Sequence, residues 1–373
     1  MNVARRSLFR ARSSALRSLS SVTQECIVLN RRFSTDVVAA AATAATAIAA
    51  TATWQLVRGK PSGPITAPPP LSPITLPGTA KGSEAYFIDT LEGVAEVADR
   101  LWDHTNRARD CLYVDLEGID LCRDGTVSLL VFYSPLLHQV FVVDVFVLEA
   151  AAFTTQGLRG LSIQDILESE DCTKAFFDVR NDSDALFHHF GVALRGVEDI
   201  QLMENASRPD GQRNYVFGLS RSIKWARILS PDERTEWTES KEAGNMLFNP
   251  ATGGSFDVFN VRPLSPEIIS YCVGDVYYLP RLRKLYWTMM SEEWKEEIRK
   301  ETLARVVESQ QENYSPHSPA KVRSPWEEEW AWLPLEEYKT PVNRRVFRPL
   351  LKVRSKDGVI ERVVGPVERR VDP

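Results

Sequence analysis

Hydrophobic residues in the middle of the chain follow two periods, one typical of strands and one typical of helices. Apolar runs with strand-like spacing occupy Tyr86–Ile88, Leu112–Leu116, Val127–Tyr133, Gln139–Val147 and Thr173–Phe177. Helical spacing marks Leu91–His104, Ser162–Glu168, Asp182–Phe190 and Ser291–Glu308, and nearly all of the chain beyond Asp199 has the same period. The close succession of three central strands predicts an antiparallel meander. The later alternation predicts a mixed-sheet α/β domain with a helical C-terminal half.

Composition divides the chain into a folded middle region and two ends. The 373 residues are 43% hydrophobic and 25% charged, which is ordinary for a globular protein and excludes a wholly disordered or polytopic membrane chain. The formal charge of −5 hides a segregation, because residues 1–80 carry a net +7, residues 81–312 a net −15 and residues 313–373 a net +3. The acidic middle argues against a protein that binds nucleic acid over its whole surface.

The first 80 residues divide into three segments that precede the folded domain. Residues 1–35 contain seven arginines and one acid, a composition typical of a mitochondrial transit peptide, with a disordered basic tail and a nuclear or cytoplasmic location as the alternative. Within 36–58, the uncharged stretch 37–57 is long enough to span a bilayer. Its alanine and threonine content makes a membrane anchor and a flexible spacer equally compatible with the sequence. Seven prolines in 61–77 predict an extended linker over 59–80.

The C-terminal region, 313–373, is predicted to be a tryptophan-rich and basic tail. Three tryptophans surround three acids in 326–332, and such a density predicts packing against this domain or against a protein partner. Alternation in Val346–Arg354 and Val359–Val364 predicts a hairpin. The excess of basic residues after Lys339 is compatible with a contact to a phosphate backbone or with a solvated tail.

The cysteines do not form a recognisable metal or disulfide motif along the sequence. The chain has five, none in a C-x-x-C pair or a local Cys/His cluster: Cys26, Cys111, Cys122, Cys172 and Cys272. This argues against a zinc finger or a disulfide scaffold, and buried reduced thiols are expected instead.

Two acidic residues end the second predicted strand on one face. Asp115 and Glu117 stand at positions i and i+2 after an apolar run, so both side chains leave the strand on the same side. Two carboxylates against an apolar sheet repel one another and lose hydration unless a cation bridges them. The pair is therefore a candidate metal site, although such a short motif is weak evidence alone.

Two further acidic positions lie at helix ends or faces. Asp182 follows the strand Thr173–Phe177 at the start of a helix, where either a metal ligand or an N-cap formed by Asn181 or Asp182 fits the pattern. Farther along, a serine and a proline announce a helix that places Tyr271 and Asp275 at i and i+4 on one face.

In this order, the three elements resemble the motifs of the DEDD exonucleases that have tyrosine in the third motif. The chain is similar to ribonuclease D-like 3′–5′ exonuclease domains over about residues 85–290, through Tyr113–Gly118, Phe177–Leu186 and the helical Tyr271/Asp275 pair. The resemblance implies a ribonuclease H-like fold with a mixed sheet of five to six strands flanked by helices. It also assigns residues 81–312 to the exonuclease domain.

By this resemblance, four carboxylates hold two divalent cations, Mg²⁺ or Mn²⁺: Asp115, Glu117, Asp182 and Asp275. Tyr271 then orients the attacking water, while the phenol itself is a poor base near neutral pH. Asp184 competes with Asp182 for the second-motif role, and the family spacing favours Asp182. The implied activity is removal of nucleotides from single-stranded nucleic acid by two-metal hydrolysis, with RNA favoured.

Two departures and two rival functions accompany this interpretation. Gly118 stands where an aromatic wedge is expected. The long interval before the third motif places extra residues in Leu229–Pro263, as a lid or as a surface insertion.

Basic residues recur at three-residue spacing on a predicted helix, as candidate phosphate contacts or as a solvated face: Arg221, Lys224 and Arg227. The rivals are a catalytically weak RNA-binding or scaffold protein and a DNA-directed repair exonuclease.

Overall fold

The apolar runs of the middle region form one six-stranded mixed sheet. The computed structural model describes residues 71–74, 83–108, 110–209, 211–326, 352–354 and 360–362. The strands of the sheet are β1 (Glu84–Ile88), β2 (Leu112–Glu117), β3 (Leu129–Ser134), β4 (Gln139–Asp144), β5 (Lys174–Phe176) and β6 (Val197–Asp199). Their order is β1-β4-β3-β2-β5-β6, with β2, β3 and β4 antiparallel to their neighbours in the meander and the other pairs parallel. The predicted meander and mixed sheet are confirmed.

Helices cover both faces of this sheet and make up most of the described residues after β6. Those before β6 are α1 (Leu91–Ala108), α2 (Val145–Leu148), α3 (Ala151–Thr154), α4 (Ile163–Glu168) and α5 (Arg180–Phe190). Those after it are α6 (Ile200–Ser207), α7 (Leu219–Ala226), α8 (Pro231–Phe248), α9 (Pro266–Tyr277), α10 (Leu279–Thr288) and α11 (Glu292–Ser309). Short 3₁₀ turns occupy Pro250–Thr252, Phe256–Asn260 and Pro319–Val322. The predicted α/β class with a helical C-terminal half is confirmed.

Alternation along β2 determines what reaches each face of the sheet. Leu112, Val114 and Leu116 enter a core that also contains apolar residues of α1, α4 and α5. Tyr113 enters the opposite core, shared with α6, α9 and α10. Because successive side chains point to opposite faces, Asp115 is on the same side as Tyr113 and faces the layer that contains α9.

Two predicted element boundaries are wrong, each for a local reason. The strand predicted to end at Val147 ends at Asp144, because the Asp144 carboxylate accepts the Val147 N–H at 3.2 Å and begins helix α2. The helix predicted to start at Asp182 begins two residues earlier, since the Asp199 carboxylate accepts the backbone N–H groups of Asp178 and Val179. Side-chain capping from a neighbouring segment is not visible in the local pattern.

The segment 229–263 folds into a helical wall rather than an irregular loop. Ser230 and Glu233 form a capping box at the start of α8, with each side chain accepting from the backbone of the other residue. Helix α8 then packs along α9, and Ser240 and Ser270 hydrogen-bond across the contact at 3.0 Å. The insertion therefore lies against the helix that carries the third motif.

The folded region continues past the boundary predicted at residue 312. Tyr314 donates to the Asn181 side chain at 3.2 Å, and the Val216 N–H donates to the carbonyl of Val322 at 2.9 Å. The Trp326 ring meets the buried Trp294 ring edge-on at 5.2 Å. The start of the predicted tail is therefore part of the packed domain, because it contacts α5, α11 and the segment before α7.

The remaining predictions for the ends of the chain lie mostly outside the described residues. These include the transit peptide, the 37–57 anchor or spacer, most of the linker and the partner segment beyond Trp326. Within the linker, the Ile74 N–H donates to the carbonyl of Ala85 at 2.7 Å. Lys352–Arg354 and Ile360–Arg362 pair as the antiparallel strands β7 and β8, as expected for the hairpin. Among the described residues, no helix has the length and apolar character needed to cross a bilayer.

Candidate active site

Three carboxylates from β2 and α9 converge at the carboxyl end of β2. Ser265 caps α9 by accepting the Ile268 N–H, and the apolar side of this helix packs on β2 and β3. This packing brings Asp275 to the acidic end of β2. One oxygen each from Asp115, Glu117 and Asp275 lie within 4.8 Å of one another. This spacing is compatible with a shared hard cation, since such ions take carboxylate oxygens.

Asp182 lies beside this cluster but is not one of the three converging residues. Its side chain is in the first turn of α5 and is 7% exposed. One carboxylate oxygen, Oδ1, has no hydrogen-bond partner among the described residues. Because a buried acceptor without a partner is costly, this oxygen has free capacity for a cation. The N-cap residue of α5 is Val179, so the N-cap interpretation of Asn181 or Asp182 is wrong.

The competing acid of the second motif has a structural partner. Asp184 is fully buried and accepts from the Arg123 backbone N–H at 2.8 Å and from its guanidinium at 2.7 Å. His188 lies 3.2 Å from the same carboxylate. These contacts satisfy Asp184 within the protein and fix the β2–β3 loop against α5. The structure therefore leaves Asp182 as the acid of this motif with an uncommitted oxygen.

Burial and neighbouring acids raise the pKa values of Asp115, Glu117 and Asp182. Burial, followed by Glu117, Asp275 and Asp182, raises the pKa of Asp115 well above its usual value. Burial and then Asp275 raise the pKa of Glu117 to about 8, and burial and then Asp178 raise that of Asp182 to about 7. Bound cations would reverse these shifts, so the donor set fits divalent metal ions.

Tyr271 lies at the edge of this cluster and is held in place by helix α8. A Cβ at Gly244 would be 2.6 Å from Tyr271 side-chain atoms, so only glycine lets α8 approach this closely. Phe248 packs edge-on against the Tyr271 ring at 4.9 Å. Burial, followed by the charges of Asp275 and Glu117, raises the pKa of Tyr271, so its hydroxyl stays protonated and acts as a donor.

Helix α8 also places a lysine in the cluster, which the sequence analysis missed. The Lys241 ammonium donates to both carboxylate oxygens of Asp275 at 2.6 Å and lies 3.3 Å from the centre of the Tyr271 ring. Its positive charge lowers the pKa of Asp115 and Glu117, but burial and the neighbouring acids raise these pKa values by more. A usable signal was present, because Trp237, Lys241 and Gly244 repeat at helical spacing on the face that packs against α9.

A cleft of about 220 Å³ adjoins the cluster between α7, α8 and α9. Its lining combines aromatic and polar side chains with two lysines: Ser220, Lys224, Trp237, Thr238, Lys241, Glu242, Asn245 and Tyr271. Of the predicted basic residues, only Lys224 lines this cleft. The Arg221 guanidinium stacks on Phe217 at 3.6 Å, and Arg227 is at the C-terminal end of α7.

The absence of an aromatic residue after Glu117 has a steric cause. A Cβ at Gly118 would be 2.0 Å from the carbonyl oxygen of Thr126, so no side chain fits there. The β2–β3 loop closes over this glycine, with the Ser128 N–H donating to the carbonyl of Glu117 at 2.7 Å. The aromatic side chains that line the adjoining cleft, Trp237 and Tyr271, come from α8 and α9 instead.

Two curated proteins resemble part of this chain. Human and mouse piRNA biogenesis protein EXD1 are each 26% identical to it, over 179 and 181 residues. Each alignment covers 48% of this chain, which spans about a third of these relatives' length: 32% of the human and 29% of the mouse protein.

Solved structures show the same fold. Trypanosoma brucei RNase D superposes with a TM-score of 0.52 at 22% identity, covering 67% of this chain and 80% of that chain. The same enzyme in complex with RNA U12 gives 0.51 at 21% identity, covering 66% and 77%. The fold is thus that of an RNase D-like exonuclease.

A family profile described as 3′–5′ exonuclease matches residues 86–291, which is more than half of the chain. The match begins in β1 and ends just after α10, so it includes the strand, the helix start and the helix that supply the four acids. The chain belongs to the 3′–5′ exonuclease family.

Proposed function

We propose that this protein is a metal-dependent 3′–5′ exonuclease that removes nucleotides from single-stranded nucleic acid, with RNA as the favoured substrate. The observation that carries the proposal is the convergence of Asp115, Glu117 and Asp275, with the uncommitted Oδ1 of Asp182 alongside. Asp115 and Glu117 are half-buried and have raised pKa values, and Asp275 beside them is buried. Such a cluster is destabilising without cations, so its construction favours a catalytic use.

The four acids would hold two Mg²⁺ or Mn²⁺ ions, and these are the roles proposed for Asp115, Glu117, Asp182 and Asp275. When bound, such ions supply Lewis acidity and neutralise charge on the phosphodiester and its leaving oxygen. The protein supplies fixed positions, because two of the acids are on a central strand and the other two on helices packed against the sheet. Rigid supports favour a single reactive geometry.

Tyr271 would orient the attacking water without taking its proton. Its pKa is raised, so the hydroxyl remains a hydrogen-bond donor and acceptor at neutral pH. Gly244 and Phe248 fix the ring, which sets the direction of the hydroxyl. These contacts support a positioning role for the tyrosine.

Lys241 and Lys224 would contact the phosphates of the strand end in the cleft. A cation that binds Asp275 competes with the Lys241 ammonium, and a substrate phosphate offers that ammonium a new partner. Two lysines next to a strongly acidic domain provide local attraction where the overall charge provides none. The preference for RNA rests on the neighbour solved with RNA U12 and on the piRNA role named for the human relative.

A direct assay tests the activity and its direction. Full-length protein with Mg²⁺ or Mn²⁺ should shorten a 5′-labelled single-stranded RNA into a ladder, and a 3′-phosphate should block or slow the reaction. Asp115→Ala should reduce the rate by at least about a thousandfold, whereas Asp89→Ala, an exposed acid near β1, should not. A single-stranded DNA of the same sequence measures sugar preference, and faster cleavage of DNA would favour a repair nuclease.

A nucleic-acid-binding protein without cleavage is the second candidate, and Lys241 is the observation that favours it. Its ammonium contacts both oxygens of an acid that a metal ion would need. If the ammonium holds that position permanently, the fold can bind a strand end without hydrolysing it. RNA binding with no product in either metal would support this candidate and contradict the enzyme.

We also propose a mitochondrial location, with the 37–57 segment as a membrane tether and 326–332 as a protein contact. The support is the arginine-rich, acid-poor start of the sequence and the density of tryptophan. Import into isolated mitochondria followed by carbonate extraction separates a matrix protein from an anchored one. Failure of import would contradict the location without bearing on the activity.

A further inference from the structure

Tertiary folding brings a cysteine, a histidine and an aspartate together on the side of the domain formed by the β2–β3 loop. His317 Nε2 lies 3.7 Å from Cys122 Sγ and 3.5 Å from Asp120 Oδ2. The three donor atoms are all within 4.8 Å of one another. None of these residues belongs to the acidic cluster, and His317 is 195 positions from Cys122 along the chain. The sequence alone therefore showed no Cys/His motif.

We infer that these three side chains form a binding site for a borderline divalent transition-metal ion of the zinc type. Zn–S and Zn–N bonds of about 2.3 and 2.0–2.1 Å put tetrahedral sulfur and nitrogen ligands roughly 3.6 Å apart. In the same geometry, nitrogen and oxygen ligands are about 3.3 Å apart. The distances from His317 Nε2 to Cys122 Sγ and Asp120 Oδ2 are only slightly longer than these values. Thiolate, imidazole and carboxylate together select zinc-like ions over Mg²⁺ or Ca²⁺.

The backbone around Cys122 is fixed before any ion binds. The Thr126 N–H donates to the carbonyl of Ile119 at 2.9 Å, which closes the loop. His189 Nε2 lies 2.9 Å from the carbonyl oxygen of Cys122. Cys122 is fully buried, while the side chains of His317 and Asp120 are 57% and 60% exposed. The ion would therefore sit at the surface over a buried sulfur, with a position open to water.

A second set of contacts holds the His317 segment to the same loop. The Arg123 guanidinium donates to the carbonyls of Ser309, Gln311 and Glu312 at 2.8–2.9 Å. Lys321 donates to the carbonyl of Pro316 at 3.1 Å and also to the Asn181 side chain. Both chain segments are thus positioned independently of the metal, and such preorganisation favours binding.

The ion would join the segment after α11 to the loop that leaves β2. That segment contacts Asn181, next to Asp182, through Tyr314 and Lys321. A bound ion would therefore stabilise the surroundings of the second-motif acid without entering the acidic cluster. The proposed metal site does not depend on nuclease activity, so a test of one does not decide the other.

Cobalt spectroscopy tests the site, because a thiolate ligand gives Co²⁺ a charge-transfer band that carboxylates cannot give. Reduced full-length protein is titrated with Co²⁺ in excess Mg²⁺, which occupies the carboxylate cluster but does not bind thiols. We expect one equivalent of Co²⁺ to produce the near-ultraviolet band and tetrahedral visible absorption, and Zn²⁺ to displace it. Cys122→Ser should lose the band, and Cys26→Ser, outside the described residues, should keep it.

His317→Ala provides a variant that does not threaten the fold, because this side chain is exposed. It should weaken Co²⁺ binding at least about tenfold and remove the increase in melting temperature of about 5 °C that saturating Zn²⁺ gives the unmodified protein. Absence of the band in the unmodified protein, or its persistence in Cys122→Ser, would overturn the proposal. Unchanged Co²⁺ affinity in His317→Ala would overturn it as well.

Discussion

Two groups of buried and half-buried acids in this domain have opposite electrostatic surroundings. At the start of α5, Arg305 bonds Asp199 at 2.8 Å, and Arg180 forms a two-pronged ion pair with Asp178 at 2.6 and 2.7 Å. Burial alone would raise the pKa of Asp178, but Arg180, Arg305 and Lys321 outweigh it and lower that pKa. In the acidic cluster the pKa values of Asp115 and Glu117 are raised.

The difference between these groups is the supply of fixed cations. The Asp178/Asp199 group has arginines for its carboxylates, and its interactions stabilise the fold. The acidic cluster has one lysine for three converging acids, and the fourth acid has an uncommitted oxygen. A deficit of positive charge in a buried site costs stability and leaves room for metal ions. Comparing the two groups therefore separates structural acids from candidate metal ligands.

The largest effect on stability is expected from removing Arg305, which pairs with the Asp178/Asp199 group. Arg305→Met should lower the free energy of unfolding by about 3–5 kcal/mol, because it leaves the fully buried Asp199 without its charge partner. Denaturant unfolding measures this loss. Arg299→Met, on the exposed side of the same helix, should change stability by less than about 0.5 kcal/mol.

The acidic cluster should respond in the opposite direction. Asp115→Ala, proposed above to abolish activity, should stabilise the metal-free protein, because it relieves repulsion from Glu117, Asp275 and Asp182. A loss of stability comparable to that of Arg305→Met would contradict the distinction between the two groups.

The next effect concerns the contact between α8 and the tyrosine. Gly244→Ala should cost about 1–3 kcal/mol, since the added methyl would lie 2.6 Å from the Tyr271 side chain. Nuclease rate should fall with it, because the hydroxyl is displaced. Gly218→Ala is the matched control, as its Cβ would meet nothing within 4 Å. Equal stability and activity for the two variants would show that α8 does not fix Tyr271.

Lys241 supplies positive charge that partly offsets the acids of the cluster. Lys241→Met should bind Mn²⁺ about tenfold more tightly, a change of about 1.4 kcal/mol, because the ion no longer competes for Asp275. Calorimetric titration measures this without substrate. Lys224→Met, in the same cleft but without a carboxylate partner among the described ion pairs, should leave Mn²⁺ affinity unchanged. Weaker binding in Lys241→Met would mean that the lysine organises the metal site.

The smallest effect is expected from Glu204, an acid whose electrostatic surroundings are intermediate between those of the two groups. Glu204 has Arg208 at 3.1 Å, yet its Oε2 has no hydrogen-bond partner among the described residues, and burial raises its pKa to about 7. Its contribution to stability is fully present below pH 4.5 and is lost as the pH rises through about 7. Relative to Glu204→Gln, the protein should therefore lose at least about 1 kcal/mol between pH 4.5 and 7.

Unfolding measured across that pH range tests the Glu204 prediction. A difference between the two proteins that does not change with pH would show that Arg208 keeps Glu204 charged in the folded state. In that case Glu204 resembles the acids of the Asp178/Asp199 group, which are paired with arginines.

Sequence patterns predicted the sheet and the helices because these depend on local periodicity, and the resemblance to the exonuclease motifs assigned the four acids as candidate metal ligands. Asp115 and Glu117 share a face whenever their segment is a strand, and Tyr271 and Asp275 share one whenever theirs is a helix. The start of α5 was mispredicted because its cap comes from Asp199, which follows it by 20 residues. Contacts between distant segments leave no period in the sequence.

By itself, then, the sequence determined the strand and helix patterns, the family motifs and the charge segregation of this protein. Only the tertiary structure decided which charges meet. It paired Asp184 with Arg123, placed Lys241 on Asp275 and brought His317 to Cys122. Electrostatic and ligand contacts act over a few ångströms in space, whereas residues that far apart along the chain become neighbours only when helices and strands pack.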